Sequence, residues 1–421
     1  MFLAYNTTGN QFNNNITVNN TTGNGITFAN NTGAAATLAS GFTIQVGGTG
    51  FAAGELRLRN FTQLGPTAQN VTLTGTAIFR LGFNSTFNGT VDFRSPRVIL
   101  DGATYNGTTY IEKTGVTNDD SNGNNVFNGP TTLANSGSGY LRSAVSTLDT
   151  FNGDLSLINT GSATIRMGDV VTGTVFNGNV QVTCTNGGGI WFGDNPPANA
   201  TLAAGRTITV GAGGFTTGEL RMNRFIQLGG TAQALTLTGD ALLTLGPAAS
   251  FGGNVTMVAP RLRLDGATYA GTGYFEKTGA VNDAGTGNNT FGGATQLVNT
   301  GSGYLMSASG GPDVFNGDLT VTNSSSSLIY LAHSVAGTQF NGNIALNTTS
   351  GNGIYISDNA AGSATLAAGR TIAIGGVGWN SGDLHIRRFT QTGGTPQTVI
   401  IPPRRRHQFS LSDPVQRSMG T

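Results

Sequence analysis

Along GELRLR (54–59), VTLTG (71–75), RTITVG (206–211) and PRLRLDG (260–266) every second residue is aliphatic. A period of two sends alternate side chains to opposite faces, so these stretches predict short β-strands of three to six residues. Gly, Asn and Asp punctuate them at intervals suited to turns with positive φ, which those residues tolerate best. No stretch of twelve or more residues carries a 3.6-residue period, and no helix is predicted.

The pattern repeats over a long interval. GELR at 54 returns as GELR at 218 and GDLH at 382, and LDGATY at 100 returns at 264, always at the same offset of 164 and with no insertion or deletion. A shorter beat lies inside this unit. Phe followed by Asn-Gly or a close variant occurs at Phe12, Phe87, Phe127, Phe151, Phe176, Phe251, Phe291, Phe315 and Phe340, with spacings of 75, 40, 24 and 25, then the same four again. A step of about 24 or 25 residues suits one coil of a parallel β-solenoid, so 75 reads as three coils, 40 as two short ones and the unit as about seven.

The predicted fold is therefore all-β, a parallel β-solenoid of about 18 coils of about 20–25 residues, which at about 4.8 Å per coil would extend about 85 Å. In such a stack equivalent positions form ladders along the axis. The nine Phe residues are predicted to form a core ladder, with Asn beside it satisfying polar groups from coil to coil and Gly permitting the bend. The 164-residue step divides the chain into the end of a preceding unit (1–11), unit 1 (12–175), unit 2 (176–339), a partial unit 3 (340–401) and a basic tail outside the repeat (402–421). On this reading Met1 falls inside a coil. Solenoids need polar caps; neither end carries one, and the chain reads as either a fragment of a longer array or a truncated reading frame whose last twenty residues are foreign to the fold.

Composition sharpens the picture. Of 421 residues 66 are Gly, only 10% are charged and the net charge is +1. That charge gives no electrostatic case for nucleic acid as a partner, and the cluster Arg404 to Arg406 is confined to the tail. A single Cys184 excludes an internal disulfide framework, and no apolar run reaches the eighteen or so residues of a membrane span.

Candidate chemistry is sparse. Glu55, Arg57 and Arg59 alternate on one strand and correspond to Glu219, Arg221 and Asn223 and to Asp383, His385 and Arg387, so Glu55, Arg57, Glu219, Arg221, Asp383 and Arg387 are candidate surface-binding residues. Arg97 with Asp101 recurs as Arg261 with Asp265, and Glu112 with Lys113 as Glu276 with Lys277. A catalytic site is normally built once, whereas these sets are copied with the coils, and they read as a solvated face with cross-coil ion pairs. TNDDSNGNN (117–125) and VNDAGTGNN (281–289) carry oxygen ligands in a Gly-broken loop but match no calcium motif, and His333, His385 and His407 have no ligand spacing. GGTGFAAG (47–54) lacks phosphate-loop spacing, and the Thr-x-Thr fragments TLT (72–74), TIT (207–209) and TVT (320–322) do not recur coil by coil. No metal or cofactor is expected. Trp191, Tyr269, Tyr274 and Trp379 could stack on sugars if exposed, packing being the commoner role for such residues.

FNGNV (176–180), TLAAGRTI (201–208) and LDGATY, set in a unit of short alternating strands, resemble the long β-helical repeats of bacterial cell-surface proteins. Adhesins of the filamentous-haemagglutinin and autotransporter type share this style, as do, more closely, the giant Asn/Thr/Gly-rich repeat proteins that Bacteroidota export by type IX secretion. The resemblance covers residues 1 to about 400. It implies a non-enzymatic structural or adhesive segment of a larger secreted or cell-surface protein. Its partners would be neighbouring repeats of the same parent chain and possible glycans or cell-surface ligands. The alternative is a carbohydrate-binding or carbohydrate-active β-helix of lyase or glycosidase type, which requires an unrepeated charged cluster in a groove.

Overall fold

The computed structural model describes all residues except 32, 171–172, 398, 400–408 and 413–421. The chain is an all-β parallel solenoid, with no helix among the described residues, in two compact units: residues 1–219 with 224–226, and residues 220–223 with 227–421. Together they hold about 16 turns, close to the number the spacing predicts.

A coil is three short strands joined by tight corners. The coil that begins at Thr150–Phe151 continues through Leu155–Asn159 and Thr164–Met167 before the chain returns to the first face at Thr174–Phe176. Each strand pairs in parallel with its equivalent one coil on, Phe151 opposite Phe176 and Leu155 opposite Val180. In the first unit a seven-stranded sheet built this way runs from Gln69–Thr72 to Ile208–Phe215. The second unit has the same sheet, from Gln233–Thr236 to Ile372–Trp379. Gln69 and Ile208 stand to Gln233 and Ile372 at the offset of the sequence repeat, which is thus also a structural repeat.

The alternation seen in sequence is the burial pattern. Leu155, Leu157 and Asn159 are buried while Ser156 and Ile158 are half-buried, and Leu319, Val321 and Asn323 repeat this in the second unit. Phe127, Phe151, Leu157, Ile165 and Met167 belong to a dry core. Among the described residues five strands exceed the predicted three to six: Ile44–Phe51, Ile208–Phe215 and Ile372–Trp379 have eight, and Ile78–Phe87 and Arg97–Tyr105 run on through a corner. The corner is absorbed by a register shift between Gly82 and Ser85, where Phe83 and Asn84 take positive φ.

The Phe ladder needs two corrections. It is not continuous through all nine positions: between Phe12 and Phe87 the same column is occupied by Leu38 and Gln63, and Phe12 packs edge-on against Phe28 instead. It also contains tyrosine. Tyr105 divides the interval from Phe87 to Phe127 into two short coils and stacks between those two rings, and Tyr269 does the same between Phe251 and Phe291. The unbroken ladders are Phe87–Tyr105–Phe127–Phe151–Phe176 and Phe251–Tyr269–Phe291–Phe315–Phe340.

Beside the first ladder the Asn side chains form the expected chain of amide bonds: Asn106 donates to Asn88, Asn128 to Asn106, Asn152 to Asn128 and Asn177 to Asn152, at 2.7–2.8 Å. In the second unit positions 252, 270 and 292 are Gly, Ala and Gly, and Asn341 donating to Asn316 is what the ladder retains. The glycine that follows is kept for a different reason from the one predicted. Gly153 has no positive φ; a Cβ there would lie 2.5 Å from the backbone carbonyl of Gly129 in the preceding coil. Stacked corners approach too closely for any side chain.

Of the tail, only Phe409–Ser412 belongs to the described residues. It pairs in parallel with Leu384–Arg387 and so continues a sheet of the second unit. Arg404 to Arg406 and His407 lie outside the described residues.

Candidate functional site

The strand Glu55–Arg59 alternates buried Leu56 and Leu58 with half-buried Glu55, Arg57 and Arg59. One coil on, Ile78–Phe87 places Arg80 opposite Arg57. Glu55 Oε1 accepts from Arg57 Nε at 2.7 Å and from Arg80 Nε at 2.6 Å, and Arg80 reaches across to Asp101 in the next coil. Four charges thus form one cluster over three coils. Burial pushes the Glu55 carboxyl up, but the Arg57 and Arg80 guanidiniums outweigh it and hold Glu55 below its usual range. The ion pairs run from coil to coil: Arg97 Nε meets Asp119 at 2.8 Å, and Arg261 Nε meets Asp283 at 3.3 Å.

The cluster is not copied whole. Glu219, Arg221 and Asp265 keep three of its positions, but Arg80 corresponds to Thr244. Glu219 and Arg221 are half-buried, as is Asp383. Arg387 pairs with Asp358 at 3.2 Å, and His385 shares the same carboxylate oxygen at 3.3 Å.

A second row of outward residues follows the same faces. In the first unit Asp120, Arg142, Arg166 and Trp191 are register partners on successive coils. The Arg166 guanidinium lies 4.7 Å from the Tyr140 ring and 4.5 Å from the Trp191 ring, and Arg142 pairs with Asp169 at 2.8 Å. In the second unit the row reads Ala284, Met306, Tyr330, Tyr355 and His385, with Tyr304 edge-on to Tyr330 at 5.6 Å and Tyr355 stacked on His385 at 4.0 Å. The arginine–tryptophan row of one copy is an aromatic row in the other. Sequence reasoning singled out Trp191 and missed Tyr140, Arg166, Tyr330 and Tyr355, whose signal was the coil-length spacing of positions 142, 166, 191 and 306, 330, 355.

A shallow groove of about 270 Å³ opens on the first unit beside Asp154 and Asn179. Thr132, Ser156, Gln181 and Thr209 are register partners along its floor, a file of hydroxyls and amides without a formal charge. Of the other sugar-stacking candidates, Tyr269 and Trp379 are buried, with Trp379 Nε1 donating to Gly382 O, while Tyr274 is half-buried on the outward side of its strand and donates to Glu276.

The Gly-broken loops are held by their acids. Asp119 is buried and accepts from the Val98 N–H as well as from Arg97; burial pushes its carboxyl up against the pull of that guanidinium. Asp283 repeats the arrangement on Leu262 and Arg261. Among the described residues no three His, Cys, Asp or Glu side chains group as metal ligands, and no helix is long and apolar enough to cross a membrane. Burial pushes the Cys184 thiol up to about 11. The pairs Glu112–Lys113 and Glu276–Lys277 are not the solvated sets the sequence predicts. Both lysines are fully buried, Lys113 donating to Gly115 O and Lys277 to Gly279 O.

No protein-family model, curated protein or solved structure matches this chain.

Proposed function

We propose that the chain is a non-enzymatic structural and adhesive segment of a larger secreted or cell-surface repeat protein of bacterial type. The observation that carries this reading is the contrast between the two copies. The ladder Tyr105–Phe127–Phe151 recurs as Tyr269–Phe291–Phe315, while the outward row Arg142, Arg166, Trp191 becomes Met306, Tyr330, Tyr355. The scaffold is held and the displayed chemistry is varied, as suits a protein that works by presentation. Weak contacts repeated along such a surface gain avidity on a target that offers matching ligands, and no turnover is required.

Glycans are the favoured ligands. The groove floor of Thr132, Ser156, Gln181 and Thr209 offers neutral donors and acceptors in a row, the chemistry that meets sugar hydroxyls. The test is to immobilise the whole chain, screen it against a glycan panel and intact cells, and assay the same polysaccharides for cleavage. Binding without cleavage supports the adhesive reading. Release of reducing ends would replace it with the carbohydrate-active alternative, and absence of binding throughout would remove the adhesive part.

A further inference from the structure

The chain contains two lysines, and neither lies at the surface. Lys113 ends the strand Thr109–Lys113, and its register partner on the next coil is Asn135. Lys277 ends Gly273–Lys277, and its partner is Asn299. All four side chains have 0% exposure. Register partners on adjacent parallel strands run side by side about 4.8 Å apart, so each lysine stem lies along an asparagine carboxamide. A carboxyl group completes each set, Asp119 with Lys113 and Asp283 with Lys277; both are 0% exposed and within electrostatic reach of the amine.

The surroundings favour reaction between amine and carboxamide. Burial lowers the proton affinity of Lys113, against the opposing pull of Asp119, and so enriches the neutral, nucleophilic amine. Asn135 is gripped from both sides: its Oδ1 accepts from the Gly137 N–H at 3.3 Å and its Nδ2 donates to Gly139 O at 3.1 Å. The Gly137 N–H points at the oxygen on which charge would develop if Cγ were attacked. Arg97 and the Val98 N–H hold the Asp119 carboxyl in place.

We propose that Lys113 and Asn135 condense into an intramolecular amide that joins two adjacent coils. The Nζ–Cγ bond forms and the Cγ–Nδ2 bond breaks. Asp119 takes the proton from Nζ and returns it to the departing Nδ2, which leaves as ammonia. Nothing is oxidised or reduced, and no co-reactant is consumed. Lys277, Asn299 and Asp283 form the second copy of the site. There Asn299 Oδ1 has no hydrogen-bond donor, so the second site reacts more slowly.

The experiment is intact mass spectrometry of the purified, folded chain, followed by peptide mapping. The expected mass is below the sequence mass by one ammonia, or by two when the second site has also reacted, and the map contains a branched peptide joining Lys113 to Asn135. The Lys113→Arg and Asn135→Ala variants should each regain the mass of one ammonia, with strand content checked by circular dichroism. A folded wild-type chain at its full sequence mass overturns the proposal. So does an ammonia loss that maps to Asn-Gly pairs such as Asn152-Gly153, where succinimide formation gives the same mass change.

Discussion

The rings of Phe127 and Phe151 lie 4.6 Å apart and 3° from parallel, and their counterparts Phe291 and Phe315 lie 4.6 Å apart and 6° from parallel. Each ring fills the space above its neighbour, so the core is a column of aromatic side chains set by the coil spacing. Phe151→Ala opens a cavity in the middle of that column. A loss of about 3–5 kcal/mol is expected, read as a lower urea midpoint for the first unit. A change near zero would mean that the ladder carries no stability.

The corner glycine tests a different physical term. Gly153→Ala adds one methyl group where the Gly129 carbonyl carbon and oxygen stand 2.5 Å away. Moving two coils apart to admit it should cost about 1–3 kcal/mol. Ala at Gly205, where nothing lies within 4 Å, meets no neighbour, although its φ of 79° still penalises a side chain. Comparing the two melting temperatures separates close approach from backbone strain.

The amide ladder should contribute less. Asn152→Asp keeps an acceptor for Asn177 but cannot donate to Asn128 while ionised. The expected loss is about 0.5–1.5 kcal/mol at neutral pH, shrinking in acid as the new carboxyl gains a proton and can donate again. The glycine at 292, which stands in the second copy where Asn128 stands in the first, already indicates that the ladder is a support and not a requirement.

Two buried acids give the fold a pH dependence. Asp149 Oδ1 accepts from the backbone N–H and side-chain amide of Asn125, and Asp313 from those of Asn289. Burial dominates these hydrogen bonds and pushes the carboxyls up to about 6 and about 7. The ordinary value is 3.8, so between about 4 and 7 the folded chain holds protons that the unfolded chain has released. Their contribution to stability is therefore complete below the ordinary value and falls as pH rises through the folded values, by up to about 1.4 kcal/mol per pH unit for each group. The double variant Asp149→Asn, Asp313→Asn should flatten the melting temperature over that window. An unchanged profile would show that the two acids are ionised in the folded state.

Much of the fold was legible because the solenoid writes its geometry into spacing. The intervals from Phe127 to Phe151 and from Phe151 to Phe176 are coil lengths, and alternation in GELRLR is the inside and outside of one strand. Tyr105 escaped because the Phe signal does not include a tyrosine before Asn-Gly, although its ring fills the same column. The glycine was identified for the wrong cause, since sequence records that a side chain is absent but not whether φ or a neighbouring coil forbids it. Cross-coil ion pairs were expected, but the partner of each, such as Asp119 for Arg97, depends on which coil a long side chain leans toward. The candidate surface was legible only as alternation: Glu55 and Arg57 could be placed outward, but their union with Arg80 required the register of the next coil.

The strands of the Phe151 coil bond to a coil on either side, whereas the strand Ile16–Asn20 has its described pairing on one side only, with Ile44–Phe51. Opening an inner strand must break two ladders, and opening Ile16–Asn20 breaks the one described. Amide hydrogen exchange in the first unit should consequently advance from Ile16–Asn20 inward, with the amides around Phe127 and Phe151 among the last to take up deuterium. A protease would meet the same gradient, cutting around Ile16–Asn20 before it reaches the aromatic column, which is left as the resistant remnant.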